Sequence, residues 1–283
     1  MNIELIQVPY DSGHYCERTG CGPDYFLNNG LAAILQKDGH PVNGHRILSK
    51  SAFLMEIGTA FELNQLLAEH VASLPDSTFP LILSGNCNSC VGALAGLNVD
   101  PIGIIWFDAH GDYNTPETTL SGFLDGMGLA MATGRCWQSL LQQQIPGYKP
   151  VPECNVIQVG ALDLDLAEKS GFEKAGIPVV TNISSDTRAF ISHFQQVLYN
   201  LANRVQDVYI HIDMDVLETG DAKANHFAVS GGLRVETVIN CLGMIKEKFT
   251  IAGCGIASLD PAFDNKSQIV LNDGIKLIKA LFK

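Results

Sequence analysis

The sequence predicts an α/β protein, with a mostly parallel sheet of about eight strands and helices on both faces. Three observations lead there. Short apolar runs alternate along the chain with stretches of helical spacing, the order of βαβ units. Ile102-Gly103-Ile104-Ile105 is apolar throughout, as a strand buried inside a parallel sheet is. Polar clusters follow the carboxyl ends of these runs, where the sites of such sheets sit.

In chain order, Ile3 to Val8 reads as the first strand. A polar, glycine-rich loop from Asp11 ends in Gly20-Cys21-Gly22-Pro23. Pro23 suits a helix start, and the spacing of apolar residues predicts one helix from Asp24 to Gln36. A second strand is expected near His45 to Leu48 and a helix over Glu62 to Ser73. Phe79 to Leu83 is a strand that runs into Ser84-Gly85-Asn86-Cys87-Asn88, and the next helix spans Cys90 to Leu97. The central strand follows. Ser121 to Thr133 is helical in pattern, Asn155 to Val159 is a strand, and Pro178 to Val180 is another. Thr187 to Val205 is a long helix leading into the strand Val208 to Asp213. A helix over Arg234 to Lys246, a strand over Thr250 to Ala257 and a helix over Asn272 to Phe282 complete the chain. With no repeat or linker, one domain over 1–283 is expected.

Composition narrows the function. Apolar residues make up 46%, with no run long enough to span a membrane. The net charge of −12 argues against nucleic acid and against anionic membrane surfaces as partners. The start lacks a basic segment followed by an apolar one, so no signal peptide is expected. Eight scattered cysteines read as reduced thiols of a cytoplasmic protein, mostly small core residues. Cys87 and Cys90 have C-x-x-C spacing, but no thioredoxin-like pattern surrounds them.

Chemistry concentrates in two motifs. Trp106-Phe107-Asp108-Ala109-His110-Gly111-Asp112 places three candidate ligands at alternate positions, which share one face in extended backbone. Two carboxylates and an imidazole suit a divalent metal of the manganese or zinc kind. Val208-Tyr209-Ile210-His211-Ile212-Asp213-Met214-Asp215 is a second apolar strand ending in Asp-x-Asp. The first motif alone could be no more than a polar loop at a strand end; the two together favour one shared metal site. Two ions about 3.5–4 Å apart lower the pKa of a water between them, so the chemistry is metal-assisted hydrolysis.

These motifs resemble the ureohydrolase family of arginases, agmatinases and formimidoylglutamases. The resemblance extends to Gly20-Cys21-Gly22-Pro23, Ser84-Gly85-Asn86, Ser121-Gly122, Gly231-Gly232-Leu233 and Asp260-Pro261, nearly the whole chain. It implies a three-layer α/β/α fold, two Mn²⁺ ions, a small guanidino substrate and a homo-oligomer. It implies that Asp108 and Asp213 bridge the ions, that Asp112 binds one, and that His110 and Asp215 bind the other. Asp215 would also accept a hydrogen bond from the attacking hydroxide and pass a proton to the leaving amine. The family's sixth ligand is a histidine, and here that position is Cys87. A thiolate ligand would favour zinc, cobalt or iron over manganese; the alternative is a packed thiol.

Other family positions are kept or changed. Asn114, Ser121, Asp165 and Glu168 match residues that contact an amino acid substrate, although Asp165 and Glu168 read alone as a solvated helix face. Asp125 stands where arginases carry a histidine often assigned to proton shuttling, and it is expected near the pocket mouth. Ser258 replaces the glutamate that grips the guanidinium and is expected near the floor. Phe123 and Phe227 replace two positions that help hold the α-amino acid end. An N-hydroxylated guanidine is less basic and needs less from an anionic grip, so the resemblance points to a Nω-hydroxy-L-arginine amidinohydrolase. Arginase or agmatinase activity is one alternative. A catalytically weak binding or regulatory protein is another, against which stand four clustered carboxylates that repel one another without metal.

Overall fold

Trp106 and Phe107 are chain neighbours, both fully buried, yet they belong to different cores. Period-two alternation gives that result in a strand covered on both faces. The computed structural model describes residues 1–51, 55–181, 187–220 and 222–283. Its elements begin with β1 (Asn2–Val8), the short strands β2 (Tyr10–Asp11) and β3 (His14–Tyr15), α1 (Gly22–Asn28) and α2 (Leu31–Lys37). Then come β4 (Val42–Arg46), α3 (Glu56–Ala72), β5 (Thr78–Ser84), α4 (Cys90–Leu97) and β6 (Ile102–Phe107). The middle holds α5 (Gly128–Ala132), α6 (Gln138–Gln144), β7 (Val156–Val159), α7 (Leu166–Ala175) and β8 (Val179–Val180). The rest is α8 (Thr187–Ala202), β9 (Asp207–Asp213), α9 (Val235–Lys246), β10 (Thr250–Ala257) and α10 (Ile269–Phe282).

Among the described residues, eight strands form one parallel sheet in the order β4-β1-β5-β10-β9-β6-β7-β8. The strands β2 and β3 pair as an antiparallel hairpin. One core lies on the face of Phe107 and Ile212 and takes in Phe26, Leu35, Phe194, Leu242 and Leu277 from α1, α2, α8, α9 and α10. The other lies on the face of Trp106 and Tyr209 and takes in Leu67, Val91, Met131, Leu141 and Phe172 from α3 to α7. The architecture is three-layer α/β/α. The helix α8 shows how each layer is written in sequence: Phe190, Phe194, Val197, Leu198 and Leu201 recur at helical spacing and are buried.

Register positions the site. Ser84 pairs with Ala257, Ala257 with Asp213, and Ile212 with Phe107. The carboxyl ends of β5, β10, β9 and β6 therefore stand level at the centre of the sheet. The chain passes from β5 to β6 across the two strands between them, so the loops leaving these ends diverge and leave a crevice.

Four expected elements differ. The helix expected over 24–36 is two, divided at Gly30, whose φ of 86° suits glycine. The second strand is Val42–Arg46 rather than 45–48; it is an edge strand whose Asn43, Gly44 and His45 are exposed, so no apolar run marks it. The helix α3 begins at Glu56, six residues before the expected start. Of 121–133 only Gly128–Ala132 is α-helix, preceded by one 3₁₀ turn at Asp125–Met127.

Candidate metal centre

Six side chains converge where those strands end. Asp108 and His110 follow β6, Asp213 closes β9, Asp215 lies in the 3₁₀ turn after it, and Cys87 opens the 3₁₀ turn after β5. Asp112 is turned inward by a left-handed backbone, φ 48°. A Cβ at Gly85 would run into the Tyr10 carbonyl oxygen, so only glycine lets this turn approach so closely. Ligand atoms of Cys87, Asp108 and Asp112 lie within 4.8 Å of one another, and so do those of Asp108, His110 and Asp215. Asp108 is common to both groups. Asp213 belongs to neither; its Oδ2 accepts from the Cys87 thiol at 3.0 Å and its Oδ1 from the Asp215 amide at 2.8 Å. His110 Nδ1 stands 3.4 Å from Asp108 and 3.3 Å from Asp215.

The electrostatics call for a cation. Asp108, Asp112, Asp213 and Asp215 are all buried, and the Asp112 Oδ2 has no hydrogen-bond partner. Burial, then Asp215 and Asp108, pushes the Asp213 carboxyl far above the ordinary range; burial and Asp108 do the same to Asp112. Burial would lower His110, but Asp108 and Asp215 raise it to about 12. Burial and then Asp213 push the Cys87 thiol well up. Buried carboxylates at this density need neutralising charge, and a divalent cation replaces bound protons while driving thiol deprotonation. The donor set of carboxylates, imidazole and sulfur fits such ions.

The ligands are held by partners that pattern reading missed. Trp106 Nε1 donates to Asp108 Oδ2 at 2.9 Å. Gln158 Nε2 donates to the His110 carbonyl at 2.6 Å; a glutamine inside the apolar run Val156-Ile157-Gln158-Val159 was the available signal. Asn225 Nδ2 donates to Asp215 Oδ2 at 3.2 Å and to the Ser258 carbonyl at 2.9 Å. Nothing in its loop marks Asn225 beforehand.

A cavity of about 240 Å³ opens over the cluster. Asn114, Phe123, Asp165, Glu168, Phe227 and Ser258 line it, as does Asp125. Asp165 caps α7 in a capping box with Glu168, accepts from Asn114 Nδ2 at 2.9 Å, and so welds one wall. The Phe123 and Phe227 rings stand 5.5 Å apart, Phe227 half exposed at the opening. Ser258 lies deep, its Oγ 3.3 Å from the Cys87 sulfur. Two residues sit elsewhere than expected. Ser121 is exposed and outside the lining; its Oγ accepts from the Phe123 amide at 3.2 Å within its own turn. Asp125 is not at the mouth: it is 7% exposed, and both oxygens are taken by the Asn86–Asn88 turn.

The chain is similar to known proteins along nearly its whole length. A model of the Arginase family matches residues 1–282. The chain is 29% identical to the arginase of Bacillus caldovelox over 295 aligned positions, covering 99% of this chain and 97% of that protein. It is 29% identical to the arginase of Bacillus subtilis (strain 168) over 279 positions, covering 94% and 93%. The crystal structure of arginase from Bacillus cereus matches with a TM-score of 0.88 at 26% identity, covering 100% of this chain and 98% of that one. The formimidoylglutamase of Bacillus subtilis shares the fold, with a TM-score of 0.76 at 19% identity, covering 99% and 86%.

Proposed function

The chain belongs to the arginase family, and from that premise we propose that it hydrolyses Nω-hydroxy-L-arginine to ornithine and hydroxyurea. It is a metal-dependent hydrolase of guanidino or amidino C–N bonds. The observation that carries the substrate is Ser258. By the family resemblance it replaces the glutamate that grips the guanidinium, and its neutral hydroxyl lies deep in the cavity beside Cys87. A full guanidinium placed there lacks its counter-charge; a less basic N-hydroxyguanidine needs none.

Asp108, Asp112, Asp213, Asp215, His110 and Cys87 would hold the divalent metal, manganese by family resemblance. When bound, such ions supply an activated water. The Asp215 carboxylate would take up a proton and return it to the leaving nitrogen. Asn225 fixes the carboxylate that makes this transfer. Asp165 and Glu168 would hold the substrate's α-amino group with Asn114 beside them, and the Phe123–Phe227 pair shields the opening from water.

Release of products from Nω-hydroxy-L-arginine, L-arginine, agmatine, guanidinobutyrate and formiminoglutamate tests the reading. The hydroxylated substrate is expected to give the highest kcat/KM; good kinetics on L-arginine, the rival suggested by the relatives' names, would refute it. Ser258→Glu alone is not expected to create an efficient arginase, because Asp125, Phe123 and Phe227 also differ.

Cys87 gives a separate test. Zinc–sulfur bonds are ~2.3 Å against ~2.0–2.1 Å for imidazole nitrogen, so the two side chains exchange with small shifts. Manganese prefers nitrogen and oxygen donors. Cys87→His is expected to tighten manganese at one site, while Cys87→Ser weakens or empties it. Calorimetric titration of the three proteins reads this; equal stoichiometry and affinity would make Cys87 a packed thiol.

A further inference from the structure

The cavity is acidic to its rim. Asp11, Asp163, Asp165 and Glu168 line it besides the ligand carboxylates, and among the described residues no lysine or arginine does. An amino acid substrate brings a carboxylate to that rim, where it meets repulsion unless a cation receives it. One guanidinium, itself outside the lining, is bonded to a residue that belongs to it. Asp11 lines the cavity, and its Oδ2 accepts from Arg18 Nε at 2.7 Å. Thr19, the next residue, lines the cavity as well. The Arg18 side chain is 55% exposed, and its two terminal nitrogens have no hydrogen bond among the described residues.

The arrangement is built. Asp11 is buried, and its Oδ1 takes the Ser12 hydroxyl at 2.9 Å. The Ser12 amide is bonded to Asn86 Oδ1 at 2.9 Å, which ties the pair to the turn that carries Cys87. Arg18 itself adopts a left-handed backbone, φ 45°, uncommon for a residue with a side chain and a recurrent mark of functional positions. Arg135 lies over the Tyr113 ring and Lys223 over the Phe263 ring.

We infer that Arg18 recognises the substrate's α-carboxylate, end-on through its two terminal nitrogens, while Asp11 holds the guanidinium through Nε. An arginine fork suits this: one edge pairs with a fixed carboxylate and the opposite edge remains for a second. The consequence is selection of guanidino amino acids over their decarboxylated amines. The choice of substrate rests on the hydrolase reading; the carboxylate anchor itself does not require turnover.

The experiment compares wild type, Arg18→Ala, Arg18→Lys, Arg18→Gly and Lys223→Ala, loaded with manganese. Glycine suits the left-handed backbone and keeps the test open should the alanine form fold poorly. Kinetics are measured on Nω-hydroxy-L-arginine and on Nω-hydroxyagmatine, which lacks the carboxylate. Arg18→Ala and Arg18→Gly are expected to raise KM for the amino acid about 10–100-fold, the effect of losing a hydrogen bond to a charged group. Their kcat should change little, their KM for the amine should hold or fall, and lysine should restore part of the loss. Equal losses on both substrates, or a carboxylate-selective loss in Lys223→Ala instead, would overturn the inference. Calorimetric binding of L-ornithine and putrescine separates the two readings. A wild type that turns over no guanidine yet binds ornithine through Arg18 defeats only the hydrolase reading. A wild type that binds both alike defeats the anchor.

Discussion

Asp108→Ala is expected to strip the protein of both metal ions and to lower kcat by at least about 100-fold, the upper end of what loss of ligand support costs. Asp108 is the only residue shared by the two ligand groups found among the described residues, so its loss leaves each group with two members. Its position is fixed by three hydrogen-bonding partners: the Trp106 indole, the His110 amide and the His110 ring. Folding should survive, because the relief of repulsion on Asp215 and Asp213 offsets the cost of stranding the Trp106 and His110 N–H groups. Asp213 belongs to neither group but accepts from the Cys87 thiol and the Asp215 amide, so Asp213→Ala is expected to loosen both of those ligands and, through the bridging role the family resemblance implies, to lose metal and turnover as well. His110→Ala should lose chiefly one ion, since it belongs to one group only. Metal content by elemental analysis, with kcat on the same samples, decides the matter. An Asp108→Ala protein with two ions and full turnover would end the binuclear reading.

The parts of this centre that were legible in the sequence are those written in backbone periodicity. The strands β5, β6, β9 and β10 are continuous apolar runs because both faces are covered, and each ends abruptly in polar residues. Asp108, His110, Asp213 and Asp215 follow from that pattern with no contact known. The edge strand β4 escaped placement because three of its five residues face solvent. The helix α7 was not bounded, although Asp165 and Glu168 read as a helix face and carry the D-x-x-E spacing of a capping box that marks its start. Asn225 had no signal at all. It reaches Asp215, ten residues back, only because the loop between β9 and α9 folds over the end of β9, which no local period encodes. Asp125 is a subtler case: its place beside the cluster follows from the family pattern, but its surroundings do not.

Those surroundings make a strong prediction. Asp125 receives four hydrogen bonds from one turn. Oδ2 accepts from Asn86 Nδ2 at 2.9 Å and from the Cys87 amide at 3.0 Å; Oδ1 accepts from the Asn88 amide at 2.8 Å and from Asn88 Nδ2 at 3.0 Å. Burial raises its pKa, to about 6, although the amide hydrogen bonds from Asn88 and Cys87 oppose the rise. With both oxygens engaged, the carboxylate is committed to holding the Cys87 turn in place. Asp125→Ala leaves two backbone amides without an acceptor, at about 1–3 kcal/mol each where no water replaces the carboxylate. A loss of roughly 2–6 kcal/mol in unfolding free energy is therefore expected, smaller if a water enters. Asp125→Asn keeps the volume but turns an amide donor toward two donors, so it should not restore stability. Asp125→His, the side chain of the arginase pattern, cannot accept four hydrogen bonds and should also fail. Each variant should also lose metal at the Cys87 side, because the turn that aims the sulfur is no longer fixed. Urea unfolding and metal stoichiometry read both effects. A proton shuttle would behave otherwise: kcat would fall while unfolding and metal content stayed as in wild type, and that outcome would show Asp125 to act in chemistry rather than in placement.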